Sequence, residues 1–124
     1  MKLPQFFEDD RGFIANIADG NLGDVAVIHS KVNSVRANHI HEHDWHLSYL
    51  ISGSMLYIWK NSIDDELTNQ AEISAGDLIF TPPKTPHKMI FTSDSIFIAV
   101  AALSRSQDAY EQDTERLAES FFAN

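Results

Sequence analysis

His39-Ile40-His41-Glu42-His43-Asp44-Trp45-His46 places four of the chain's six histidines inside eight residues. His39 and His41 are two apart, so on a strand both imidazoles leave the same face. His43 shares that face if the strand runs on. His46 needs a turn to converge with them, and Glu42–Asp44 is polar enough to make one. The block lies just before the apolar run His46–Ile51, and His87 stands at the mouth of another, Lys88–Phe91. Imidazole nitrogens gathered in a pocket suit Zn, Fe, Ni or Cu better than Ca or Mg, which take oxygen ligands. The alternative is a solvated loop whose histidines are merely adjacent. Their density beside two apolar runs favours metal binding.

Outward from this block the chain reads as short strands: Val25–His29, His46–Ile51, Met55–Trp59, Asp77–Phe80, Lys88–Phe91 and Ser95–Ala101. Each is rich in β-branched or aromatic residues and bounded by Gly, Pro, Asn, Asp or Ser. Ser52-Gly53-Ser54 reads as a hairpin turn and Asn61–Gln70 as a polar surface loop. Pro82, Pro83 and Pro86 exclude a central strand between Thr81 and Pro86, because proline donates nothing to a ladder. Many short strands in succession indicate an all-β sandwich or small barrel. From Arg105 to Asn124 there is no Gly or Pro, and Tyr110, Thr114, Leu117 and Phe121 recur at helical spacing, which predicts a helix or an extended tail laid on the barrel or a partner.

The 124 residues make one domain, 1–124, of 14.0 kDa, with no internal repeat or linker. A net charge of −9, with no offsetting Lys/Arg cluster, argues against nucleic-acid binding. The absence of cysteine removes disulfides, thiolate metal sites and cysteine nucleophiles, and suits a reducing compartment. The longest apolar run, Ile96 to Leu103, is too short to span a bilayer, and the N-terminus has no signal-peptide core. The expectation is a cytoplasmic protein with no membrane partner. A chain this small leaves strand edges to cover, which predicts a homodimer closed by Leu3–Phe7 or Tyr110–Phe121 across a two-fold axis.

The arrangement resembles the cupin superfamily, whose first motif is G-x5-H-x-H-x(3,4)-E-x6-G and second is G-x5-P-x-G-x2-H-x3-N. On this chain the first falls on Asn33, His39, His41, His46 and Gly53 (residues 33–53), the second on Gly76, Pro82, Lys84, His87 and Phe91 (76–91), with every spacing kept. The resemblance implies a single-domain, jelly-roll-like β-barrel and one divalent transition metal (Zn, Ni, Mn or Fe) on His39, His41, His46 and His87. Asn33, Lys84 and Phe91 depart from the motifs at positions of turn shape and packing. His46 stands where the family has Glu, which exchanges a carboxylate for a neutral ligand and leaves the ion a stronger Lewis acid.

A narrower resemblance concerns substrate. Asp9-Asp10-Arg11-Gly12 and Val35-Arg36-Ala37-Asn38-His39-Ile40-His41 are similar to the D-x-RG and R-G-x-H-x-H stretches of sugar-nucleotide cupins: the dTDP-4-dehydrorhamnose 3,5-epimerases, the dTDP-sugar 3,4-ketoisomerases and the cupin domain of capsule-sugar reductases. It implies a sugar or sugar-nucleotide substrate, with Arg11 and Arg36 on the diphosphate and a histidine as base. A metal-bound histidine has its lone pair engaged, so a metallated site needs another proton carrier. His43 and Tyr49 are the candidates put forward, beside Glu42, Asp44 and Tyr57, and Tyr57 is also a candidate for the substrate. Three functions fit the pattern: a metal-dependent isomerase or epimerase, a non-catalytic ligand- or metal-binding module, and an iron-dependent dioxygenase.

Overall fold

A computed structural model describes residues 4–104 and 106–122. The strands are β1 (Gln5–Asp9), β2 (Gly12–Asn16), β3 (Asp24–Ser30), β4 (Val35–His41), β5 (His46–Ser52), β6 (Ser54–Trp59), β7 (Asn69–Ser74), β8 (Leu78–Thr81), β9 (His87–Phe91), β10 (Ser95–Ala101) and β11 (Thr114–Arg116), with one helix, α1 (Gln107–Asp113). Every pairing is antiparallel. β1 and β2 form a separate hairpin. β3-β10-β5-β8 make one sheet and β11-β4-β9-β6-β7 the other. The all-β cupin architecture expected from the motifs is the one observed.

The core lies between the two larger sheets. Leu50, Met55, Tyr57, Ile79, Met89, Phe91, Phe97 and Ala99 form one buried cluster fed by both. Strand alternation explains the choice: Leu50 and Ser48 face inward from β5, so Leu47, Tyr49 and Ile51 take the other face, where Ile51 is exposed and Leu47 is nonetheless buried. Asn61–Gln70 is largely the polar loop expected, although Asn69 and Gln70 already belong to β7.

Two expectations are corrected. Ser52-Gly53-Ser54 is not a hairpin turn, because β5 and β6 belong to different sheets; it is the corner where the chain crosses the core. Gly53 is required there by φ +91° and by the closeness of the Asp94 carbonyl and Ser95 to the place a Cβ would take. The C-terminal stripe does not share one helix. α1 ends at Asp113, and Thr114 opens β11, which pairs Thr114–His41, Glu115–Ile40 and Arg116–His39. The free edge of β4 offers backbone partners that outweigh a weak helical pattern. The Tyr110 side chain, like Leu3, Arg105, Ala123 and Asn124, lies outside the described residues.

The motif positions where the family uses glycine all have left-handed backbone here: Asn33 at φ 70°, Gly53 at 91°, Gly76 at 93° and Lys84 at 61°. Lys84 is the least suited to it. It is held there by its N–H, which donates to the His41 carbonyl at 2.7 Å. Gly53→Ala should lower unfolding free energy by about 2–4 kcal/mol through strain and overpacking. Lys84→Gly should raise it by about 0.5–1 kcal/mol, since the relief of a left-handed residue exceeds the entropy glycine adds to the unfolded chain. Urea unfolding of the two variants checks both signs.

Candidate functional site

The register of β4 against β9 sets His39 opposite His87, and a β-bulge between Ala37 and His39 turns both His39 and His41 into the barrel. Ala37 and Asn38, at φ 63° and 57°, form that bulge. His39 Nε2 lies 3.2 Å from His87 Nε2, and the rings of His39 and His41 are 4.3 Å apart. One ring nitrogen from each of His39, His41 and His87 falls within a 4.8 Å group, and all three residues are buried.

Neighbouring groups fix how these rings present themselves. His87 Nδ1 donates to the Thr85 carbonyl at 2.9 Å, which leaves Nε2 as that ring's lone pair. His41 Nδ1 is 3.1 Å from Thr114 Oγ1 and 3.9 Å from the Asp113 carboxylate. Burial, then the neighbouring His87, His41 and His46, push His39 down to about 2. Burial is also the first cause at His87, pushed down to about 3 against the opposing effect of its bond to Thr85. Both rings are therefore neutral near pH 7, the state in which imidazole ligates a metal.

His46 is placed differently. Its Nε2 is 2.8 Å from Asp44 Oδ2, and with His41 and Asp44 it makes a second potential ligand group. The buried Asp44 carboxylate takes the backbone N–H groups of Ala102 and Leu103 on its other oxygen, at 2.9 and 3.0 Å. Burial pushes the Asp44 carboxyl up, but the His46 hydrogen bond, the charge on His46 and the Leu103 N–H together bring it below the ordinary range. Asp113, 69 residues away, accepts the Asp44 N–H at 2.9 Å and the His43 N–H at 2.9 Å, clamping the loop that carries the dyad.

A cavity of about 130 Å³ opens beside these groups, walled by Arg36, His39, His46, Ser48, His87 and Met89 among others. Arg36 stands at its edge, donating through Nε to Ser30 Oγ at 2.6 Å and through Nη2 to the His29 carbonyl at 2.9 Å. The structure does not bring every candidate to this wall. His43 is turned outward, its Nδ1 3.0 Å from Asp113 Oδ1. Tyr49 takes the outer face of β5. Tyr57 is buried in the core, 2.6 Å from Thr81 Oγ1, and burial pushes its hydroxyl up to about 12 despite that bond. Tyr57 and Trp59 instead line a second cleft near β7 and β8. Arg11 is at the β1–β2 turn, paired with Asp9 at 2.6 Å, and lines no part of the histidine cavity. Sequence reading missed Ser48 and Asp113. Asp113 carries no local signal, because its partners lie in another element.

In metal-free protein the buried neutral imidazoles make stability depend on pH. Unfolded histidine titrates near 6.5, whereas folded His39 and His87 stay neutral to about 2 and about 3. Their contribution is complete above pH 6.5 and is lost as pH falls below it, at about 1.4 kcal/mol per unit for each ring. Unfolding free energy should drop by several kcal/mol between pH 7.5 and pH 5. A flat profile in denaturant titrations at those two values contradicts the buried neutral cluster.

The cupin domain family model matches residues 26–102, which spans both motifs. No curated protein sequence matches the chain. Among solved structures, the QdtA sugar 3,4-ketoisomerase from Thermoanaerobacterium thermosaccharolyticum, in complex with TDP, superposes with TM-score 0.73 at 16% identity, covering 95% of this chain and 87% of that one. The dTDP-4-dehydrorhamnose 3,5-epimerase from Sulfolobus tokodaii gives 0.71 at 17% identity, covering 96% and 76%. The capsular polysaccharide assembling protein CapF from Staphylococcus aureus gives 0.69 at 20% identity, and there this chain spans 34% of the other's length. At these identities the likeness is one of fold. Two histidine motifs in one antiparallel barrel, matched over more than half its length, make this chain a member of the cupin family.

Proposed function

We propose that the chain is a metal-binding isomerase or epimerase of a keto-sugar, presented as a sugar nucleotide. The observation that carries the reading is the cavity wall, where His46 on its Asp44 carboxylate stands beside the His39–His41–His87 cluster and Arg36. His39, His41 and His87 are the residues that would hold a divalent transition ion, and such an ion supplies Lewis acidity toward a carbonyl oxygen. The histidine-only donor set fits Zn, Ni or Fe better than Mn, which favours oxygen ligands. In this reading His46, the fourth expected ligand, takes a different role. The fold neighbours support the substrate class: among them are a ketoisomerase and an epimerase of dTDP-sugars.

The chain's own groups then divide the work. With Nε2–H donated to Asp44, His46 has Nδ1 as its lone pair. It takes a proton from the carbon beside the substrate ketone; the C–H electron pair passes to the carbonyl carbon and its oxygen, and the new imidazolium is stabilised by Asp44. Return of the proton to the opposite face gives an epimer, and return to the neighbouring carbon, with proton exchange between the oxygens, gives an isomer. A cavity of about 130 Å³ holds the volume of roughly four waters, room for part of a sugar ring. The diphosphate and base of a nucleotide remain outside, where Arg36 has guanidinium N–H groups to offer an anion.

Elemental analysis of untagged protein should find about one transition-metal ion per chain, lost in the His39→Ala, His87→Ala double variant. Incubated in deuterium oxide with a nucleoside-diphosphate 4-keto sugar, the protein should exchange the proton beside the ketone without consuming oxygen. Asp44→Asn should slow this exchange by about 10²- to 10⁴-fold. Ligand binding with no exchange would make the protein a binding module. One observation favours a second reading: His41, Asp44 and His46 form a two-histidine, one-carboxylate group, the donor set of non-haem iron oxygenases. Iron occupancy with oxygen uptake would select it.

A further inference from the structure

Thr114 lies beyond the residues that the cupin domain model matches, yet its side chain reaches the histidine cluster. Backbone pairing brings it there. β11 runs antiparallel along the edge of β4 that β9 does not take, with Thr114 opposite His41 and Arg116 opposite His39. The Glu42 N–H donates to the Asp113 carbonyl at 3.1 Å and the Leu117 N–H to the Asn38 carbonyl at 3.0 Å, so the pairing is tied at both ends. Residues opposite one another on such a ladder carry their side chains on one face. Thr114 Oγ1 therefore meets the His41 ring, 3.1 Å from Nδ1.

His87 and His41 are turned by different means. The Thr85 carbonyl can only accept, which puts the His87 proton on Nδ1. A threonine hydroxyl both donates and accepts, so Thr114 taken alone leaves the His41 proton on either nitrogen. Asp113 decides between them. Its Oδ2 stands 3.9 Å from the same Nδ1, and its two oxygens already accept the His43 and Asp44 N–H groups. A nitrogen lone pair turned toward that carboxylate is disfavoured, and an N–H there is favoured. The His41 Nδ1–H then donates to Thr114 Oγ1, and Nε2 keeps the lone pair. That nitrogen is shielded from solvent, in a residue that belongs to both candidate ligand groups.

We propose that Thr114 is a positioning residue of the histidine cluster: it holds His41 with its proton on Nδ1 and its Nε2 lone pair free for a ligated ion. The inference rests on the metal-binding reading above and adds to it a residue from outside the matched domain. Thr114 acts only through His41, as a hydrogen-bond partner behind a ligating imidazole does, fixing the tautomer and the ring orientation before the ion arrives. The short strand β11 thus does more than cover an edge. It brings Thr114 to one ligand, while Asp113 beside it steadies the loop that carries Asp44.

The test starts from metal-free, full-length protein carrying nitrogen-15 histidine, in which long-range proton–nitrogen correlations report the protonated nitrogen of each ring. The His41 signal is the one lost in His41→Gln. Wild type should show His41 protonated on Nδ1. Thr114→Val keeps the volume and the branching but accepts nothing, and should give a mixture of tautomers. Thr114→Ser restores the hydroxyl and should restore the wild-type pattern. Zinc affinity, measured by competition with a chromophoric chelator, should fall about 10- to 100-fold in Thr114→Val and return to within about threefold of wild type in Thr114→Ser. Far-UV circular dichroism is the folding control. A wild-type ring protonated on Nε2 overturns the inference without recourse to any variant. A tautomer unmoved in Thr114→Val, or zinc held there as tightly as in wild type, overturns it too. Should wild type take up no zinc, the metal reading fails by itself, and the tautomer spectra still decide the role of Thr114.

Discussion

The site depends on one strand pairing. β4 meets β9 in a register that sets His39 against His87, residues 48 apart in the chain. The bulge at Ala37–Asn38 makes the pairing productive. Without it the alternation of β4 would be unbroken, and moving the strand by one residue would carry both imidazoles to the other face. The opposite edge of β4 is held by β11, and the Asp113 carboxylate beside β11 takes the N–H groups of His43 and Asp44. The histidine strand is thus pinned from both sides, by β9 through the core and by the C-terminal segment along its edge.

That pinning has an electrostatic consequence. Three imidazoles packed within 4.8 Å cannot all be charged, and burial disfavours charging any of them. The cluster holds neutral nitrogen donors in close company at a cost in unfolding free energy that grows in acid. An ion that takes their lone pairs offsets this cost, so metal binding and folding stability are linked in the same direction. Arg36 and the Asp44–His46 pair lie just outside the crowded centre, where a charge is solvated or paired.

Much of this was legible in the sequence because cupin motifs are written in local terms. His39 and His41 share a face through period two, and the left-handed backbone at residues 33, 53, 76 and 84 reproduces the glycine positions even where Asn and Lys stand in. Six strands followed from β-branched runs between breakers. Apart from the local β1–β2 hairpin, which was also unread, the rest lies in pairing with distant segments. β4, β7 and β11 are poor in such runs and exist because a neighbouring edge offers hydrogen bonds. Asp113 acts on a loop 69 residues away. Ser52-Gly53-Ser54 has the composition of a hairpin turn, yet only the pairing of its flanking strands with other partners shows that it is a corner. Tyr49 and Tyr57 looked equivalent until alternation sent one outward and the other into the core.

The exchange of the family's Glu for His46 is the departure with chemical weight, and a carboxylate still stands beside that position. Asp44, two residues earlier, supplies it from behind the ring, with its Oδ1 tied to the backbone of Ala102 and Leu103. A carboxylate in the family's position would spend its negative charge on the ion. Placed behind an imidazole, the same charge stabilises an imidazolium that forms only when a proton is taken up, an interaction stronger in the charged state than in the resting one. In the proposed reaction the Asp44–His46 pair carries the proton, and the anchoring of Asp44 by two backbone N–H groups holds the ring in one orientation, as the carboxylate behind a metal-ligating imidazole also does.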